Sequence, residues 1–99
     1  MAYTRTMRLD FDPIKDVANL EKHGLSLADA LLVYDAPEKI TLSSSRQGEQ
    51  RIMDIASVAP ARLVLVLVYV VRGDVLRAIS LRPASRAERM LYETAWKKD

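Results

Sequence analysis

Between Leu63 and Val71 the chain runs through nine consecutive apolar residues, most of them β-branched. Both alternating sets of side chains are apolar, so a strand here has two faces to hide. A small domain hides both by setting that strand centrally in a sheet with cover above and below. The run is far too short for the roughly 20 residues that cross a bilayer as a helix.

The flanking sequence supplies the rest of such a domain. Met7 to Phe11 alternates apolar and polar and reads as a first strand. Asp12-Pro13 then starts a helix, with Asp as cap, Pro in the first turn and Gly24 as its left-handed end. Ile14, Val17, Ala18 and the stem of Glu21 form its expected inner stripe. Ser26, with Asp29 as a capping-box variant, opens a second helix whose face is Leu27, Ala30, Leu31 and Tyr34, and Pro37 ends it. Strands are expected at Lys39–Leu42, Arg51–Val58, Leu63–Val71 and Val75–Leu81. Loops fall at Ser43–Gly48 and Ala59-Pro60-Ala61, and a hairpin turn at Arg72-Gly73-Asp74. Ser85 and Glu88 form a capping box for a last helix over Arg86–Lys97, with Ala87, Met90, Leu91, Thr94 and Ala95 on one face and Arg86, Arg89, Glu93 and Lys97 on the other. The order is β-α-α-β-β-β-β-α, an α+β fold with two N-terminal helices and one C-terminal helix on a twisted, mostly antiparallel sheet. A single domain over residues 1–99 accounts for it, with no repeat and no linker.

Composition narrows the chemistry. With 49% apolar and 28% charged residues the chain has enough to build a core. At this size some apolar surface is left over for a partner. The chain has no cysteine and one histidine, which removes disulfides, thiolate zinc sites and thiol nucleophiles and disfavours a dedicated metal site. The opening MAYTRTMRLDFD lacks the apolar core of a signal peptide, so the expectation is a cytoplasmic protein without membrane contact. Residues 1–49 carry 6 basic and 8 acidic side chains, residues 50–99 carry 9 and 5, and ten of the fifteen cations are Arg. A basic second half suits nucleic acid or an acidic protein, although charge normally does no more than solvate a surface. Three glycines leave no room for a Gly-rich phosphate loop. What remains is several Arg around one His, a set that suits phosphodiester chemistry without a metal. Cations stabilise the charge building on phosphorus while one acid–base group moves protons.

Three blocks carry a resemblance. They are Asp12-Pro13 with Asn19-Leu20-Glu21-Lys22-His23-Gly24-Leu25-Ser26, Ala30 and Tyr34-Asp35 through Pro37; then Gly48-Glu49-Gln50-Arg51; then Arg77 through Ser85 with Glu88-Arg89 and Tyr92-Glu93. In this order, over about residues 9–93, the chain resembles the BrnT toxin family. The resemblance implies a RelE-like ribonuclease toxin of a bacterial type II toxin–antitoxin pair that cleaves RNA, arrests translation and needs no cofactor. Its implied partner is a BrnA-like ribbon-helix-helix antitoxin, in a heterotetramer that touches DNA only through the antitoxin. The chain departs from the family in having Phe11 where Trp is common, and Leu81-Arg82-Pro83-Ala84 where the family often has A-R-K-A. Neither change removes a charged motif residue.

The candidate catalytic residues are His23, Glu49, Arg51, Arg77 and Arg82, and the candidate RNA contacts are Lys22, Arg72, Ser80 and Arg86. No metal ligand set is expected. Each has a plainer reading. His23 suits a helix C-terminus as well as it suits proton transfer near neutral pH. Arg82, just before a helix N-terminus, either holds a phosphate or pairs with Glu88 or Glu93. Glu49 and Arg51 are either a structural pair or a base for the ribose 2′-OH beside a cation. Arg72 is equally a turn residue, and Lys22 a solvated one. Tyr92 and Trp96 suit core packing better than base stacking. Arg77 and Arg82 are five positions apart, so a regular strand puts them on opposite faces unless a bulge or the Pro83 exit breaks the alternation. Arg77 and Arg82 are expected to stabilise the phosphorane while His23 or Glu49 moves the proton, leaving a 2′,3′-cyclic end. The competing expectation is a non-catalytic subunit that binds antitoxin. Direct DNA contact is disfavoured by a net charge of only +2.

Overall fold

The computed structural model describes residues 7–46, 48–59 and 63–96. β1 (Arg8–Asp10) leads into α1 (Pro13–His23), and a 3-10 turn (Leu27–Asp29) runs on into α2 (Ala30–Tyr34). A meander of β2 (Lys39–Arg46), β3 (Glu49–Val58), β4 (Leu63–Arg72) and β5 (Val75–Pro83) follows, then α3 (Arg86–Ala95). The expected α+β order is therefore observed. All five strands join one sheet in the order β1-β5-β4-β3-β2, antiparallel except where β1 pairs parallel with β5. Among the described residues, no helix is long and apolar enough to cross a membrane.

β4 is the central strand its sequence demands. On one face Leu65, Leu67 and Tyr69 pack with Leu27, Ala30 and Val33 from the second helical segment and with Leu76, Ala78 and Leu81 of β5. On the other, Val66 packs with Ile55 of β3 and Tyr92 of α3, and Val64 and Val68 adjoin them. A fully buried side chain of this kind contributes about 1.5–3 kcal/mol, which makes the two clusters the main tie between helices and sheet. The first face also holds a buried carboxylate. Asp54, wholly inaccessible, accepts from Lys39 Nζ at 2.9 Å, Thr41 Oγ1 at 2.7 Å and Tyr69 OH at 2.9 Å. Lys39 also donates to Tyr34 O and sits 4.4 Å above the Tyr34 ring. Burial, with the neighbouring carboxylate, pushes the Tyr69 phenol well above its usual range. The network ties α2 to β2, β3 and β4 with no charge left unpaired.

Local punctuation follows the sequence. Asp12 accepts from Ile14 N, Gly24 takes φ 71° at the end of α1, and Gly73 takes φ 61° in the β4–β5 hairpin. Ser85 and Glu88 complete a reciprocal capping box. Four expectations are corrected. Ser43 to Arg46 belong to β2 and not to a loop, because pairing with β3 continues to Arg46↔Glu49 and outweighs serine's preference for turns. The Ser26–Asp29 capping box is absent: Ser26 caps Ala28 N, while the Asp16 carboxylate of α1 takes Leu27 N at 2.6 Å.

The other two corrections concern helix faces. Ile14 and Val17 are 79% and 58% exposed, and Ala18 and Glu21 are exposed beside them. The side of α1 turned to the protein carries Asp16, whose carboxylate takes Leu27 N, Asn19, whose amide meets Leu25 O and the β5 edge, and the half-buried His23. On α3, Ala87, Met90, Leu91, Thr94 and Ala95 face outward, and Tyr92 is the buried contact, its OH donating to Glu38 O at 2.9 Å. Periodicity identifies an apolar stripe but not which element, if any, covers it. Pro60, Ala61 and Lys97 lie outside the described residues.

Candidate functional site

The relation of Arg77 to Arg82 turns on one residue. Val68 pairs with Ser80, but the next position, Tyr69, pairs with Ala78, so Ile79 is an extra residue on β5. This is a β-bulge, and it restores a common face to side chains five positions apart. Arg82 lies opposite Val66, Ser80 opposite Val68 and Arg77 opposite Val70. Directly opposed residues share a face, and alternate residues of β4 share one too. All three β5 side chains are therefore on the face that α3 partly covers.

Three more residues of the predicted set join them. Met53 and Ile55 of β3 oppose Val68 and Val66, so Glu49 and Arg51, at even spacing along β3, share their face. Arg72 lies on it by the same alternation in β4, and its Nη2 is 3.1 Å from Glu49 Oε2. The result is a sheet face with Glu49, Arg51, Arg72 and Arg77 toward one end and Arg82 further along it, level with Val66 where Glu49 is level with Arg72.

Each cation already has a carboxylate near it. Arg82 makes a forked pair with Glu88, Nη1 and Nη2 donating to the two oxygens at 2.7 and 2.8 Å. That guanidinium holds the Glu88 carboxyl down to about 2, and Glu88 raises Arg82 in return. Arg77 pairs with Asp10 of β1. Arg51 Nε lies 3.6 Å from Glu49 Oε1, and it is a buried donor with no hydrogen-bond partner among the described residues. Both Arg77 and Arg72 are exposed, so water and competing anions reach their pairs.

His23 and Lys22 lie elsewhere. They end α1, which runs beside β5 past the end of short β1. Here Asn19 takes the role of a neighbouring strand: its amide donates to Leu81 O at 2.8 Å and accepts from Leu81 N at 3.2 Å. Its second N–H reaches Leu25 O at 2.7 Å. Between helix and strand a cleft of about 320 Å³ opens, with Ala18 and Ile79 as apolar lining and Lys15, Lys22 and His23 as its cationic or ionisable groups. Ser80 lies at the seam, paired onto the Arg-bearing face yet lining the cleft. Arg86 stands exposed in the first turn of α3. The predicted set thus falls into two groups divided by β5. Sequence reasoning missed Asn19, buried at 8% exposure, and Lys15. For Asn19 the available signal was its place in the NLEKHG block. Lys15 gave none. Among the described residues no three His, Asp or Glu side chains are grouped as a metal site would need.

Comparison with family models bears directly on this arrangement. The family described as "Ribonuclease toxin, BrnT, of type II toxin-antitoxin system" matches residues 11–88. The chain belongs to the BrnT family. Comparison with curated proteins gave no match. Membership brings with it ribonuclease chemistry and an antitoxin partner as the coarse function. The matched span runs from Phe11, ahead of α1, to Glu88, and so includes both the Arg-bearing face and the cleft.

Proposed function

We propose that the Arg-bearing sheet face cleaves RNA without a metal and that the single domain of residues 1–99 acts in the cytoplasm to arrest translation. A BrnA-like antitoxin, in a heterotetramer, restrains it and supplies any contact to DNA. The observation that supports this reading is the bulge at Ile79, which gathers Arg77 and Arg82 on the face that holds Arg51, Arg72 and Glu49. A regular strand would have divided them.

In this reading the ribose 2′-oxygen attacks the adjacent phosphorus and gives its proton to Glu49. The bond from phosphorus to the 5′-oxygen breaks, that oxygen takes up a proton from water, and a 2′,3′-cyclic phosphate remains. Arg51 and Arg77, both level with Val70, stabilise the charge that gathers on the phosphorane oxygens, Arg72 stands beside Glu49, and Arg82 and Arg86, further along the face, bind flanking phosphates. Glu49 receives the proton role ahead of His23 because it shares the cations' face. To engage RNA, Arg72 and Arg77 exchange a carboxylate for a phosphate, a swap between like interactions that costs little at their exposed sites, whereas the half-buried fork between Arg82 and Glu88 is costlier to open.

The test separates catalysis from ion pairing. Arg77→Ala, Asp10→Asn and wild type are expressed without antitoxin, their solubility is checked, and growth and RNA ends are recorded with and without chelator. The expected outcome is arrest and cyclic ends with wild type and with Asp10→Asn, in chelator as well, and a loss of about 100-fold in cleavage rate with Arg77→Ala, in line with removal of one charge-stabilising donor. Equal loss in both variants would make Arg77 a structural residue. No arrest by wild type would favour a subunit that only binds antitoxin.

A further inference from the structure

The cleft between α1 and β5 is idle in the chemistry just assigned, yet it has the properties of a binding site. At about 320 Å³ it is at the small end of ligand pockets and large enough for a single nucleotide unit. Ala18 and Ile79 give it an apolar wall, Lys15 and Lys22 offer two ammonium groups, and His23 adds a flat ring that is half-buried. Unstacked RNA bases are held by such a combination: a ring or apolar wall against the base face, cations on the phosphate. An acidic peptide has use for the cations but none for a flat apolar wall.

Position strengthens the case. Ile79, the bulged residue, lines the cleft together with Ser80, which shares the face of Arg77 and Arg82. β1 pairs only with Val75 to Arg77, so the rim of β5 beside Ser80 carries no neighbouring strand between the cleft and the sheet face. Asn19 fixes that rim by holding both backbone groups of Leu81, so cleft and cationic face keep a constant separation.

We propose that this cleft binds one unstacked nucleotide of the RNA next to the scissile phosphate, with its base against Ile79 and His23 and its phosphate on Lys15 and Lys22. It rests on the ribonuclease reading above. His23 then acts in substrate binding, and the cleft, more than the Arg face, decides which base is preferred beside the cut.

The chain's single histidine makes the test direct, because its ring signals in an NMR spectrum need no assignment. A 2′-O-methyl hexanucleotide, which lacks the attacking hydroxyl, is titrated into the protein while anisotropy of a labelled copy reports binding. The expected result is movement of the His23 signals along the same binding curve. Lys15→Gln and Lys22→Gln, both exposed and so harmless to the fold, should each weaken binding about three- to tenfold and lower the salt slope by about 0.7. Binding with unmoved His23 signals overturns the proposal and leaves the Arg face as the whole RNA site. No binding by either readout overturns the ribonuclease reading as well. Movement with purified antitoxin but not with the hexanucleotide assigns the cleft to the protein partner, and the proposal fails.

Discussion

Arg82 and Glu88 show how one residue serves two purposes. Glu88 closes the capping box of α3 and also takes the fork of Arg82, so the cation is aimed by the same side chain that starts the helix. Its carboxyl is held near 2, below the ordinary 4.5, chiefly by the hydrogen bond from Arg82. A depressed carboxylate contributes stability that is complete above its unfolded value and vanishes as pH falls through the folded one. Wild type should therefore exceed Glu88→Gln in stability by on the order of 1 kcal/mol at pH 7, with the gap closing between about pH 4.5 and 2. Urea midpoints of the two proteins across that range check it; a gap constant with pH would mean the carboxylate's charge is irrelevant. The cap was legible from the sequence, since Ser85 and Glu88 stand at capping-box spacing, while Glu88 was one of two carboxylates expected to compete with a phosphate for Arg82. Asn19 was not. A lone Asn in a polar helix looks solvated; its place in the NLEKHG block marked the position but not the role, which the ending of β1 after Asp10 explains, since the β5 edge needs a substitute partner.

Elements were more legible in kind than in orientation. The apolar run of β4, the hairpin at Gly73 and the caps of α1 and α3 were all local signals, and each element stands where those signals put it. Helix faces are set by what the sheet still needs, which is a non-local quantity. Once Tyr92 fills the space over Val66 and Ile55, α3 has no further inward room for Met90 or Leu91, which stay 58% and 47% exposed. Met90→Lys and Leu91→Lys should then change unfolding free energy by no more than about 0.5 kcal/mol in the isolated protein, as for other surface positions. Were either residue packed against the sheet, the cost would reach about 2–5 kcal/mol. Chemical denaturation separates those outcomes. The bulge occupies a middle ground: the five-residue offset between Arg77 and Arg82 demanded either a break or two separate faces, but nothing in Ile79 itself announced which.

At the scale of the whole molecule, the small net charge of +2 conceals a strongly uneven surface. Guanidinium groups from three strands share one face, while the other face buries its charge in the Asp54 network. Nucleic-acid affinity follows the local arrangement and not the total, because each phosphate neutralised by Arg releases a counterion from the strand. If Arg51, Arg72, Arg77, Arg82 and Arg86 contact RNA together with Lys15 and Lys22, the logarithmic salt slope should be near −5, so binding of a non-cleavable oligonucleotide should fall about nine-hundred-fold between 50 and 200 mM salt. Folding should barely respond over the same range, since the core clusters are apolar and exposed ion pairs contribute little. Cleavage under subsaturating substrate should follow the binding curve in salt, and in the mechanism proposed above, where guanidiniums take the place of a metal ion, it should stay level when chelator is added. A shallow slope near −1 would mean that most of these cations keep their carboxylates when RNA binds. The face would then be held together by Asp10, Glu49 and Glu88 as structure, and phosphate would be met by little more than a single cation.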